Sequence, residues 1–197
     1  MRFARERPAP RAWASLAIAL ALGALALWSA PHEALDWQPG LALTQPWRLW
    51  TAALVHLSPL HLQANLLGCA VVAAFGMVAG LPLRATGAWL AAWPLTHAAL
   101  AVQPQLLHYG GLSGVLHAGV AITALQLGCR APRRERLIGL AVLAGLAAKL
   151  LLESAWPGTA QEVPGWDIRI APLAHLTGAL AGLACDIGAL WIASRRR

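Results

Sequence analysis

The 197-residue chain is 58% hydrophobic and only 12% charged, with a mean hydropathy of +0.58. A soluble domain carries about twice that charged fraction, and disorder needs low hydrophobicity, so both classes are excluded. The charges are lopsided, 15 basic against 8 acidic for a net of +7, so their positions decide what the excess means.

A bilayer-spanning helix needs about 20 predominantly apolar residues. Six segments meet this requirement, at about 12–30, 60–80, 83–102, 112–128, 137–155 and 172–193. The first is too long in its apolar stretch for a cleaved signal peptide, and Trp28-Ser29-Ala30-Pro31 is a poor cleavage site. Pro94 inside the third segment predicts a kink. One membrane domain spanning 1–197 is expected at this length.

The arginines set the predicted orientation. With both termini cytoplasmic, the inner side holds Arg2, Arg5, Arg7, Arg11, Arg84, Arg130, Arg133, Arg134, Arg136, Arg195, Arg196 and Arg197. The outer loops hold Arg48 and Arg169, and Lys149 lies within a span. Such a bias is the positive-inside signature, and it accounts for the basic excess without nucleic acid. The tryptophans are read as an interfacial belt, with Trp13, Trp89 and Trp191 on the inner side and Trp28, Trp156 and Trp166 on the outer. The first outer loop, 31–59, carries Trp37, Trp47 and Trp50 among apolar residues and is predicted to lie in the interface. Cys69, Cys129 and Cys185 show neither disulfide nor zinc spacing and read as small hydrophobes.

Polar groups within apolar helices are costly, so each needs a reason. Three clusters fall at outer helix ends. His61 and Asn65 are spaced i, i+4 and share a face of the second segment. Gly110-Gly111-Leu112-Ser113-Gly114 opens the fourth, where glycines allow close approach and present a hydroxyl at a helix N-terminus. His175 opens the sixth and is followed by Gly178 and Gly182, small residues that let a neighbouring helix approach. These are the parts of a serine hydrolase. Ser113 would be nucleophile and His175 general base, with His61, Asn65 and the Ser113 N–H stabilising an oxyanion. Glu153 apart, no acidic residue is placed to orient His175, so a Ser–His dyad is expected. Taken singly, each feature has a packing explanation: a G-x-S-G stretch is weak, and a membrane histidine commonly satisfies an interhelical hydrogen bond.

Trp47-Arg48, His56, His61, Asn65, Gly111-Leu112-Ser113-Gly114 and Ala174-His175-Leu176-Thr177-Gly178 together resemble, in order and spacing, the rhomboid intramembrane serine proteases. The resemblance implies a six-transmembrane-helix rhomboid bundle, an all-α integral membrane fold. It implies Ser113 and His175 as the catalytic dyad and His61 and Asn65 in the oxyanion hole, and gives the Trp47-Arg48 pair a structural role. His117, one turn beyond Ser113, matches a position where many rhomboids stack a tyrosine on the histidine. It could stack likewise, hydrogen-bond to His175 or Ser113, or compete as base.

Ser113-Gly114-Val115-Leu116-His117 and the stretch from Ala148 to Glu153 resemble one branch, the rhombosortases. A chain of this length, expected to carry no seventh helix or further soluble domain, fits that branch. The branch resemblance implies a bacterial inner-membrane enzyme with its site toward the periplasm. Its partners would be the bilayer and exported substrates anchored by a C-terminal transmembrane tail of the GlyGly-CTERM type. No metal or cofactor is implied, and a zinc peptidase reading lacks H-E-x-x-H. A general rhomboid protease and a non-catalytic helix-binding relative remain alternatives; a transporter would show internal repeats, and none is evident. Lys149 and Glu153, spaced i, i+4, read first as a mutually neutralising pair and second as a substrate contact. Asp186 lies near the inner end of its helix and is given no catalytic role.

Overall fold

In a computed structural model, residues 7–153 and 160–195 are described, and helix is their dominant secondary structure. The predicted interfacial Trp156, the end of the fifth segment (154–155), and Arg2, Arg5, Arg196 and Arg197 lie outside the described residues. The helices are α1 (Pro10–Ala26), α2 (His32–Leu35), α3 (Arg48–Thr51), α4 (Pro59–Val78), α5 (Leu83–Ala98), α6 (Ser113–Arg130), α7 (Arg133–Leu152) and α8 (Pro172–Arg195). α2 and α3 are single turns; the other six are 16–24 residues long.

Prolines set several starts. Pro59 follows Ser58, whose hydroxyl caps α4 by accepting from the His61 N–H at 3.1 Å. α7 begins at Arg133 behind Pro132, four residues before the apolar run, because its basic first turn is helical though polar. α5 continues through Pro94 to Ala98 and finishes as a 3₁₀ turn over Ala99–Val102. α4 and α8 are long and apolar enough, each by itself, to cross a membrane; α1 and the Ser113–Cys129 stretch are apolar but shorter.

α6 is the central helix and packs against α4, α5, α7 and α8. Val115, Ala118, Ala121, Ile122 and Ala124 are all buried, as a helix apolar on every face requires. α1 closes one side against α4 and α5, and α7 lies at the edge with Gly139 its one buried residue.

Trp13 and Trp89 are core residues, which corrects their assignment to an inner belt. Both are fully buried and stack on each other with ring centroids 4.3 Å apart. Their indole N–H groups donate to the Val72 and Val115 carbonyls at 2.9 and 2.8 Å, which removes the usual penalty for burying that donor. Gly76 makes the room, since a Cβ there would overlap the Trp13 indole. Trp37 is buried too, whereas Trp47, Trp50, Trp166 and Trp191 are exposed.

Near the end of α6 remote from Ser113, Arg84 donates to Asp186 at 3.2 Å and to Gln126 at 2.7 Å, and Gln126 also donates to Asp186. Thirteen residues of helix, about 20 Å of rise, separate Gln126 from Ser113, so Asp186 belongs to a structural cluster far from the hydroxyl.

Candidate active site

Two close helix contacts bring Ser113 and His175 together. α6 and α8 meet backbone to backbone: a Cβ on Gly178 would fall inside the Gly114 peptide, and one on Gly182 would lie 2.6 Å from the Ala118 carbonyl oxygen. Gly114 in turn faces the Ala174 carbonyl. With the two N-termini side by side, His175 Nε2 lies 3.1 Å from Ser113 Oγ.

Gly111 precedes α6 with φ of 135°, a conformation that a side chain resists. A Cβ there would also lie 2.7 Å from the His61 ring and 3.8 Å from Asn65 Nδ2. This glycine therefore lets both α4 side chains approach the backbone beside Ser113. His61 Nδ1 accepts a long 3.5 Å bond from the Leu57 N–H, which leaves Nε2 as the protonated donor facing that backbone. Asn65 Nδ2 donates to the His61 carbonyl at 3.1 Å and keeps a second hydrogen for another acceptor. Ser113 sits in the first turn of α6, where N–H groups have no acceptor four residues back. The His61 ring and the Asn65 amide thus lie beside the Gly111 turn that leads into the free Ser113 end of α6.

His117 stacks on His175, with ring centroids 4.3 Å apart and planes 13° from parallel. Its Nδ1 lies 2.6 Å from the Ser113 carbonyl oxygen, so it serves the backbone of that residue while His175 serves the hydroxyl. Glu153 is the feature that sequence reasoning underplayed. Its Oε2 lies 2.8 Å from His175 Nδ1, and Oε1 accepts from Lys149 at 2.5 Å. The i, i+4 pair is therefore present, but half of its carboxylate belongs to the histidine.

The side chains of Ser113, His175, His61, Asn65, His117 and Glu153 line one cavity of about 610 Å³. α4 contributes Ala64, Gly68 and Val71 to its wall, α7 contributes Val142, Gly145 and Leu146, and Trp166 lies over it from the loop before α8. Among the described residues no His/Cys/Asp/Glu group could hold a metal ion.

Trp47 and Arg48 lie outside this cavity, and Arg48 organises the first loop. Arg48 is buried and donates to Gln45, to the Glu33 and Asp36 carbonyls, and to the Asp36 carboxylate at 3.1 Å. His108 reaches the same carboxylate at 2.7 Å. Trp37 and Tyr109 exchange backbone bonds, and the Tyr109 hydroxyl donates to the Gly111 carbonyl at 3.1 Å. Burial pushes the Tyr109 phenol above its usual range, against hydrogen bonding to Ser113 and Gly114, so it remains a neutral donor. Ser58, the α4 cap, donates to Asp167 at 2.7 Å and ties the loop before α8 to the His61 turn. Loop-to-loop contacts such as this carry no short-range sequence signal.

The family model described as Rhomboid domain matches residues 43–192, about three quarters of the chain. No curated protein matches it.

Proposed function

Since the chain belongs to the rhomboid family, whose members are intramembrane serine proteases acting on membrane-protein substrates, we propose that it is an endopeptidase working through Ser113 and His175. The observation that carries this reading is the 3.1 Å contact between Ser113 Oγ and His175 Nε2 on the wall of a 610 Å³ cavity. Ser113 Oγ attacks the scissile carbonyl while its proton passes to His175 Nε2. The tetrahedral oxyanion is held by the Ser113 N–H, His61 Nε2–H and Asn65 Nδ2–H. His175 returns the proton to the leaving amine, then takes one from the water that releases the acyl-enzyme. Every step uses the chain's own groups and water.

The finer parts of the proposal concern topology and substrate. α1 and α4–α8 form six spans of one membrane domain over 1–197, with both termini cytoplasmic and the site near the periplasmic face of a bacterial inner membrane. The support is the arginine distribution and the shared end at which Ser113, His61 and His175 lie. The substrate reaches the site sideways, between α4 and α7, and unwinds where its residues are small. The motif around Ser113 and the Lys149–Glu153 stretch favour the rhombosortase branch, hence removal of C-terminal GlyGly-CTERM tails from exported proteins.

Co-expression with a GlyGly-tailed protein tests this. Cleavage by the wild type and none by Ser113→Ala or His175→Ala is expected; loss of either member of such a pair costs about 10⁴-fold or more. Identical uncleaved product from wild type and Ser113→Ala overturns the branch assignment. Cleavage of unrelated transmembrane substrates alone then assigns a general rhomboid activity.

A further inference from the structure

His175 is approached on two edges. Nε2 faces Ser113 Oγ at 3.1 Å, and Nδ1 faces Glu153 Oε2 at 2.8 Å. One protonation pattern satisfies both contacts: a proton on Nδ1 donated to the carboxylate, and a lone pair on Nε2 that receives the serine O–H. The other tautomer would turn a lone pair toward the carboxylate and a hydrogen toward the hydroxyl it must deprotonate.

We propose that Glu153 is a positioning residue that fixes this tautomer and ring plane and stabilises the imidazolium formed when the Ser113 proton arrives, making the site a Ser–His–Glu relay. The proposal rests on the protease reading of Ser113 and His175. Proton bookkeeping is simple. The serine proton moves to Nε2 and later to the leaving amine, the Nδ1 proton stays, and Glu153 remains a carboxylate throughout.

The surroundings suit this role. Glu153 is the residue that ends α7, its N–H bonded to the Lys149 carbonyl at 2.9 Å, so the side chain starts from a defined backbone. Lys149 Nζ takes Oε1 at 2.5 Å and leaves Oε2 for the histidine. Lys149 Nζ also lies 3.4 Å from His175 Nδ1. Both of those nitrogens are donors, so it is the carboxylate that holds them together. The stacked His117 ring closes one face of His175. The base is thus held at an edge by Glu153, on a face by His117 and at its tip by Ser113.

The test uses the purified full-length protein and two readouts: the rate at which a fluorophosphonate probe labels Ser113, and kcat and KM on a transmembrane substrate. Glu153→Gln is expected to cut the labelling rate and kcat by about 10²–10⁴-fold, the upper end being the loss on replacing a triad acid by its amide. KM and the melting temperature should change little. Glu153→Asp should recover part of the loss, and Lys149→Met should lose less than Glu153→Gln. Labelling of Glu153→Gln at the wild-type rate overturns the relay while leaving Ser113 and His175 in place. So does a loss that appears only as a lower melting temperature or a higher KM, equal in the Gln and Asp variants. A wild type that neither labels nor cleaves overturns the protease reading, and the relay with it.

Discussion

At the scale of single residues, the site consists of groups that stand out because their surroundings are apolar. Ser113, His175, His61 and Asn65 are visible in sequence for that reason, and the structure gathers them at one cavity. Glu153 stands out in the sequence as the one acidic residue placed to orient His175, but whether its carboxylate reaches the ring does not: that depends on how α7 crosses α8, and no spacing within α7 encodes it. His56 gives a prediction at the same scale. It lies before α4, is buried, and stacks obliquely on His61 with ring centroids 4.9 Å apart. Its Nδ1 is 3.1 Å from the Leu54 carbonyl oxygen, while Nε2 has no hydrogen-bond partner among the described residues. Burial pushes its pKa down to about 4, below the usual 6.5. Above about pH 6.5 the ring is neutral folded or unfolded and pH has no effect through it. Between about 6.5 and 4 the unfolded chain binds the proton more readily, so the fold loses stability as pH falls. Melting temperature in detergent should drop across that window, and His56→Phe should flatten the drop. An unchanged slope in the variant removes His56 as its source.

At the scale of elements, the helical segments are legible because apolar length and proline punctuation are local properties. The faces those helices turn to one another are not. Trp13 and Trp89 sit where a belt residue would sit along the chain, yet they stack in the core because Gly76 leaves a notch for an indole. Hydropathy counts apolar mass and is blind to such a notch. The glycines of α8 make the point testable. Gly178 faces the Gly114 backbone, whereas a Cβ at Gly188, further along the same helix, meets nothing within 4 Å among the described residues. Gly178→Val should therefore push α6 and α8 apart, costing about 1–3 kcal/mol as overpacking does and lowering activity with stability. Gly188→Ala should hold or raise the melting temperature, since alanine favours helix over glycine by up to about 1 kcal/mol. Equal tolerance of both changes would show that the glycine contact does not set the helix spacing.

At the scale of the whole molecule, the proposed orientation places the α6–α7 turn in the cytoplasm and the first loop outside. Cys129 is free and exposed near that turn. In intact cells a membrane-impermeant maleimide should leave Cys129 unlabelled until the membrane is opened, while a cysteine placed at Thr44 should label at once. The reverse pattern inverts the topology. The arginine bias carries this expectation, and it is a property of the entire sequence rather than of any one span. Arrangement at this scale also constrains motion. α6 and α8, which carry the proposed nucleophile and base, touch through peptide groups that no rotamer change can separate. α7 is held differently: a Cβ on Gly139 would lie 2.6 Å from the Ala124 carbonyl oxygen and the Gly128 nitrogen, and no other residue of α7 is buried. Gly139 is therefore where α7 packs closely on the α6 backbone, with about 20 Å of helix between it and Glu153. Under the proposed mechanism, a swing of the Glu153 end of α7 away from α8 would widen the gap for a polypeptide and draw Glu153 off His175, so admitting a substrate and arming the base would oppose each other.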